Sequence, residues 1–154
     1  MNTEQRINLT LESKIKNLET HYNVILHNQK ITAYAIYQAT ISIPGIIDIL
    51  SIANSTDDEK ILAPLRKRLY SLIEAKYENI KLQGVLQYHF VRSQNTSFLR
   101  MHKPEIFADN LTHSREDFAQ VNKTLLPVHG FVQGKVAHGF RNDYPLFDKK
   151  HNHI

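Results

Sequence analysis

The residues best equipped for chemistry in this chain are arginines and histidines of its second half. Arginine offers a planar fork of donors that matches a carboxylate, and histidine adds a donor or acceptor that titrates near neutral pH. Four such residues are candidates to surround a small anionic ligand: Arg100, His102, Arg115 and Arg141. Arg100 and His102 are two residues apart in a segment with strand character, so we expect both side chains on one face. An equally supported alternative is structural, in which Arg100 and Arg141 tie down loops through Glu105, Asp109 or Asp143.

Metal binding and catalysis have weaker support. The chain has nine histidines. His151 and His153 would share a face if that segment is extended, and His102, His129 and His138 could converge on the sheet. Zinc sites usually pair histidines at helical spacing or with a carboxylate, and no H-E-x-x-H pattern occurs. The sequence also lacks a phosphate-binding loop, a G-x-G-x-x-G turn and a G-x-S-x-G elbow. We therefore expect no enzyme activity, no cofactor and no resident metal, with a metal-binding sensor as a weaker alternative.

The composition excludes several classes of protein. The chain has 154 residues, no cysteine, and 19 basic against 15 acidic residues, which gives a net charge of +4. Without cysteine it has neither a disulfide scaffold nor a thiolate ligand or nucleophile. The densest basic run, residues 66–68, is interpreted as a solvated helix face, so no nucleic-acid partner is expected. No stretch approaches the roughly 18 consecutive apolar residues of a membrane span, and the first residues lack the apolar core of a secretory signal.

A long amphipathic helix is predicted at the N-terminus. Its apolar residues recur at spacings of three and four: Ile7, Leu11, Ile15, Leu18, Tyr22 and Ile25. Nothing breaks the helix before Pro44, and about 30 residues at roughly 1.5 Å each would span about 45 Å. The apolar stripe either packs on its own domain or pairs with a partner helix in a dimer. Roughly three heptads do not decide between these two interpretations.

Two shorter helices are predicted next. The apolar residues 46–53 indicate a short buried helix. A third helix follows an N-cap at Thr56 or Asp57, and Pro64 lies either at a kink or in the first turn of this helix.

The second half of the chain is predicted to be rich in strands. From Gly84 the apolar period falls to two, which predicts strands at 85–92 and 97–102 around a turn at 93–96. The remaining predicted elements are a helix that buries Phe118, Val121 and Leu125, strands at 128–133, 135–141 and 144–147, a turn or bulge at Gly134, and a turn at 148–153. Helices followed by consecutive hairpin strands predict an α+β fold with an antiparallel sheet.

One segment of the second half resembles a known family. Residues 98–111, FLRMHKPEIFADNL, are similar to the motif of bacterial extracytoplasmic Cache sensor domains, although members often have glycine and aspartate at the positions of Ala108 and Asn110. The similarity covers roughly residues 20–154. Its other parts are Pro44-Gly45-Ile46, Gln87-Tyr88-His89-Phe90, Arg115, Asn122, residues 130–134 (GFVQG) and residues 139–146 (GFRNDYPL).

The resemblance implies a PAS-like α+β fold with a long N-terminal helix. We expect one domain, with residues 1–42 as the helical stalk and residues 43–154 as the sensor module, and with the usual final strand missing. Family members lie outside the cytoplasmic membrane, between two transmembrane helices, in chemoreceptors, sensor histidine kinases and diguanylate cyclases. They bind small metabolites, often carboxylates, amino acids or amines, between sheet and loops.

These properties imply a receptor ectodomain in the periplasm or otherwise outside the cytoplasm. The expected partners are a small anionic ligand and a second copy of the chain through the N-terminal helix, with the membrane reached only through flanking spans. Tyr88, Phe131 and Tyr144 are candidate pocket walls, although aromatic residues on strands are also common in cores. The main alternative is a dimerisation module without a ligand.

Overall fold

Helices fill the first half of the chain, and two small antiparallel sheets lie in the second. The structure is a computed structural model that describes residues 2–133 and 138–154. Its elements are α1 (Thr3–Ile41), α2 (Ile46–Asn54), α3 (Glu59–Lys81), β1 (His89–Val91), β2 (Ser97–Arg100), α4 (Glu116–Thr124), β3 (Val128–Gln133) and β4 (His138–Asp143). β1 pairs with β2, and β3 pairs with β4. The mixed α+β class and the long N-terminal helix are thus confirmed.

The chain divides into two compact units. Met1–Ala35 and His129–Asn142 form one, named here the helix–hairpin unit, and Ile36–Val128 and Asp143–Ile154 form the other, named the core unit. Within the described residues, no single helix is long and apolar enough to cross a membrane; α1 and α2 together meet that criterion by length and composition only, with a bend of 86° between them.

In the helix–hairpin unit, aromatic contacts join α1 to the β3–β4 hairpin. The ring centroids of Tyr22 and Phe140 are 6.1 Å apart, and Phe131 packs edge-on against Phe140 at 5.3 Å. His129 Nδ1 and Asn142 Oδ1 are 2.8 Å apart across the hairpin. The six predicted side chains of the apolar stripe of α1 are each between 44% and 69% exposed, including Tyr22, which contacts Phe140.

The core unit is built from one face each of α2 and α3 packed against β1 and β2. The fully buried side chains include Ile46, Leu69, Ile73, Phe98 and Leu99. In α2 the buried positions Ile46, Ile49, Leu50 and Ala53 recur at helical spacing, as predicted. Gly45 precedes them with φ = 90°, a conformation that glycine adopts without steric cost.

The start of α3 differs from the prediction. The N-cap is Asp58, whose carboxylate accepts a hydrogen bond from the backbone N–H of Lys60 at 2.9 Å. Thr56 accepts instead from the N–H of Asp58, and Asp57 forms an ion pair with Arg92. Pro64 lies inside α3 beyond its first turn. The caps proposed at Thr56 and Asp57 were therefore wrong because both side chains have other partners.

The strands are shorter than their sequence pattern predicts. β1 begins at His89, not at residue 85, and β2 ends at Arg100. His102 therefore lies in a turn, and the prediction that it shares a strand face with Arg100 is wrong. The turn at 93–96 is present, with Asn95 at φ = 61°. In the predicted strand at 144–147, only Phe147 forms a β-bridge, to His153. Pro145 in that segment has no N–H to donate to a ladder.

The end of α4 and the C-terminal turn were also predicted. Leu125 does not contribute to the buried face of α4: it ends the helix with φ = 57° and is 41% exposed. The turn at 148–153 is confirmed, since the Asp148 carboxylate accepts from the N–H groups of Lys150 and Asn152. Ile154 is buried and donates to the Leu146 carbonyl at 3.0 Å. Gly134 and the first three residues of the predicted strand 135–141 lie outside the described residues.

Candidate anion-binding site

Four basic side chains gather around the β1–β2 hairpin of the core unit. They are His89, Arg100, His102 and Arg115, called here the basic cluster. The hairpin register places His89 directly opposite Arg100, so the two side chains are cross-strand neighbours. The charges of Arg100 and Arg115 both lower the pKa of His89 and of His102, which shows that the four groups lie within electrostatic range of one another.

Arg100 already holds a carboxylate. Its two terminal nitrogens donate to the two oxygens of Asp109 at 2.8 and 2.7 Å, and Nη1 also donates to the carbonyl of Ile106 at 2.8 Å. These hydrogen bonds hold the pKa of Asp109 below its usual range. Backbone hydrogen bonds between Ser97 and both Ala108 and Asp109 fix the same loop. Arg100 thus performs the loop-holding role that the sequence left open.

Arg115 lies at the start of α4 and also has carboxylate partners. Its Nε and Nη2 donate to Asp117 at 2.9 and 2.8 Å, and Nη2 is 3.9 Å from Asp143. The guanidinium carbon is 3.8 Å from the ring centroid of Phe118, within cation–π range. The planar group is therefore fixed on both sides, by an aromatic face and by ion pairs.

His89 is the half-buried centre of the cluster, and the sequence did not predict it as a site residue. Its Nε2 is 2.8 Å from the hydroxyl of Ser97, and its ring packs edge-on against Phe118 at 5.2 Å. Burial, reinforced by the charges of Arg100 and Arg115, lowers its pKa to about 3. The imidazole is therefore neutral at any physiological pH. The register of the predicted hairpin was the one signal that could have pointed to it.

His102 contributes a polar atom that the described residues leave unsatisfied. Its Nδ1 is buried and has no hydrogen-bond partner in that part of the chain. Burial first, and then the charge of Arg100, lowers the pKa of His102. An imidazole with an unused buried nitrogen is unusual, because such an atom ordinarily costs stability.

Tyr88 and Tyr144 pack against the end of α1 that belongs to the core unit. The Tyr88 hydroxyl donates to Oγ1 of the buried Thr40 at 2.8 Å, and burial raises the pKa of Tyr88 to about 12. Tyr144 stacks on Tyr37 with ring centroids 4.7 Å apart, and the Tyr37 hydroxyl donates to the carbonyl of Pro145. Tyr88 and Tyr144 therefore connect the end of α1 to the start of β1 and to the segment 144–147.

The other two predicted site residues belong to the helix–hairpin unit. Phe131 lies on β3 and is 53% exposed, and Arg141 lies on β4 and is half-buried. The structure thus gathers Arg100, His102 and Arg115, places Tyr88 and Tyr144 at the end of α1, and assigns Phe131 and Arg141 to a different unit.

One narrow cleft of the core unit shares no residue with the basic cluster. It is lined by Leu50, Ala53, Asn54, Val91, Arg92, Phe98, Leu146 and Ile154. Its volume of about 10 Å³ has room for about one water molecule. Among the residues that the structure describes, no group of three or more histidine, aspartate or glutamate side chains is placed to hold a metal ion.

No family model, curated protein or solved structure matches this chain.

Proposed function

We propose that the chain is the extracytoplasmic sensor domain of a bacterial transmembrane signalling receptor, with a PAS-like core, and that the basic cluster recognises a small anionic ligand. The observation that carries this proposal is the bidentate grip of Arg100 on a carboxylate. A ligand carboxylate would use the same two donors that Asp109 uses. The unpartnered Nδ1 of His102 would supply a further contact close by.

Asp109 is the carboxylate that a ligand would replace. Its side chain is 45% exposed, whereas those of Asp117 and Asp143 are 9% and 12% exposed. Asp109 can therefore turn into water while the ion pairs of Arg115 stay in place. Exchanging one carboxylate for another conserves the charge balance of the cluster, so the incoming ligand leaves no buried charge unpaired.

A path from the cluster to α1 lies within the core unit. Tyr88 directly precedes β1 and is hydrogen-bonded to Thr40 in the last turn of α1. A ligand that changes the loop of residues 101–111 would act on this contact through the β1–β2 hairpin. It would shift α1 only by as much as its affinities for the two arrangements differ.

The first test is a binding screen with acetate, succinate, citrate, glutamate and putrescine, by titration calorimetry. For any of the anions that binds, Arg100→Gln is expected to weaken the affinity at least about tenfold, because a charge-assisted bidentate contact is lost. Arg68→Gln, an exposed arginine on α3, is the matched control and should leave the affinity unchanged. An anion that binds wild type and Arg100→Gln equally well would place its site elsewhere.

Asp109→Asn is expected to raise the affinity for the same anion, by about threefold to tenfold. The variant removes the internal carboxylate that competes for Arg100, while the amide can still hydrogen-bond to the loop. Asp48→Asn, which removes an exposed carboxylate paired with Lys149, is the control. Unchanged or weaker binding by Asp109→Asn would show that Asp109 is only a loop anchor.

A second candidate function is a structural or dimerisation module without a ligand. The complete ion pairs of Arg100 and Arg115 favour it. Mass spectrometry of small molecules released from the denatured, freshly purified protein separates the two functions. A sensor carries, or takes up from the screen, a stoichiometric anion, whereas a module of this kind does neither and still self-associates.

A further inference from the structure

The loop beside Arg100 joins β2 through a β-bulge. The N–H of Ala108 donates to the carbonyl of Ser97 at 2.9 Å, and the N–H of Ser97 donates to the carbonyl of Asp109 at 3.0 Å. Ala108 and Asp109 thus lie together opposite Ser97. The first residue of a bulge of this type has the left-handed conformation and is usually glycine. Ala108 has φ = 66°, so its methyl group makes the backbone strained at this point.

Contacts on both sides of Ala108 hold it in this conformation. On one side the ring centroid of Phe107 lies 3.7 Å from the guanidinium carbon of the buried Arg66. On the other side the carboxylate of Asp109 accepts two hydrogen bonds from Arg100. Ala108 itself is exposed, so burial of its methyl group does not offset the strain. A strained residue persists only where its neighbours fix it, and such residues are common at ligand sites.

We propose that residues 107–109 form a latch that is closed by the ion pair with Arg100, and that the strain at Ala108 favours its opening. When the carboxylate of Asp109 turns into water, Ala108 relaxes to a negative φ, and both hydrogen bonds of the bulge break. The open latch leaves two nitrogens of Arg100 to a ligand carboxylate. The opening is a property of the loop alone, whereas its use by a ligand rests on the proposed function.

The strain changes the affinity for an anion because it acts on one state only. It raises the free energy of the closed latch, in which φ of Ala108 is positive, and it is absent from the open latch. A ligand that binds only the open latch therefore loses less of its affinity to the opening step. Asp109 and a ligand carboxylate offer Arg100 similar hydrogen bonds, so a modest strain decides how readily one replaces the other. Ala108 thereby sets the affinity of the site.

Amide hydrogen exchange of the full chain without ligand tests the opening. The N–H of Ser97 reports the latch, since its acceptor is the carbonyl of Asp109. The N–H of Arg92 donates to the carbonyl of Thr96 at 2.9 Å and reports the hairpin turn. Ala108→Gly removes the strain and is expected to slow exchange at Ser97 about threefold relative to exchange at Arg92. Ala108→Val should accelerate it, because a β-branched residue tolerates a positive φ less well than alanine does.

His151→Gly is the matched control, because His151 is exposed and has φ = 64° in the C-terminal turn. It should leave the ratio of the two exchange rates as in wild type. Equal slowing at Ser97 and Arg92 in Ala108→Gly would mean that the substitution acts on global stability only. That result, or unchanged exchange at Ser97, would overturn the latch.

The role of the latch in binding is tested with any anion that binds in the calorimetric screen. Ala108→Gly should weaken its affinity about threefold, because the closed latch is then more stable. Slower exchange at Ser97 with unchanged anion affinity would overturn this role. A screen in which no anion binds would contradict the proposed function, and the exchange rates would still decide whether the latch opens as proposed.

Discussion

Arg66→Met is expected to lower the free energy of unfolding by about 3 kcal/mol, because the side chain is buried and joins three elements. Its Nε donates to the Phe98 carbonyl in β2 at 2.8 Å, and its terminal nitrogens donate to Glu59 at the start of α3. The guanidinium carbon lies 3.7 Å from the ring centroid of Phe107 in the loop beside Arg100. Methionine keeps much of the volume but leaves a buried carbonyl without its donor.

Lys67→Met is the matched control for Arg66→Met. Lys67 is the next residue on α3 and is exposed, so its substitution should change the free energy of unfolding by no more than about 0.5 kcal/mol. Urea denaturation of the three proteins measures both effects. Arg66→Lys should fall between them, since it keeps the charge but not the planar fork. Similar losses in the Arg66→Met and Lys67→Met variants would mean that Arg66 does not anchor β2.

The interpretation of residues 66–68 as a solvated helix face is wrong for Arg66, which is buried, whereas Lys67 and Arg68 are exposed. Local spacing contained the necessary signal: Arg66 lies four residues after Leu62 and three before Leu69, and both leucines are buried. An arginine on the buried face of a helix needs an acceptor there. That acceptor is the Phe98 carbonyl, 32 residues away in sequence. Helical periodicity could indicate burial, whereas the partner depended on a tertiary contact that no local pattern encodes.

The helices were predicted well because their information is local. The spacing of apolar residues in α1 and α2 reflects a 3.6-residue repeat over one face. The site was predicted less completely because its residues are neighbours across the β1–β2 hairpin and not along the sequence. Arg100 was paired in the prediction with His102 by strand alternation, yet β2 ends at Arg100, and the cross-strand neighbour is His89. Asn122, one of the motif residues, donates to the Arg92 carbonyl and to Asn95 in the hairpin turn.

His89 is expected to make the protein sensitive to mild acid. Its pKa is about 3 in the folded chain and about 6.5 when unfolded, so the unfolded state binds the proton more tightly. The stability that the neutral imidazole contributes is complete above pH 6.5 and is lost as the pH falls toward 3. Between pH 7 and pH 4.5 this group alone should remove about 2–3 kcal/mol from the free energy of unfolding. Urea denaturation at the two pH values measures the loss.

His89→Gln should remove this part of the pH dependence, because glutamine can still hydrogen-bond to Ser97 but does not titrate. His113→Gln, at an exposed histidine, should keep the wild-type dependence. Burial also lowers the pKa of His102 and of His153. Both groups therefore reduce the free energy of unfolding as the pH falls, and both variants keep this part of the loss. Asp109 also has a lowered pKa, and its contribution is lost only below its ordinary value of 3.8, outside the chosen window. If wild type and His89→Gln lose the same free energy of unfolding between the two pH values, water or a counter-ion reaches the imidazole. The cluster would then be open enough to admit an anion without the exchange of Asp109.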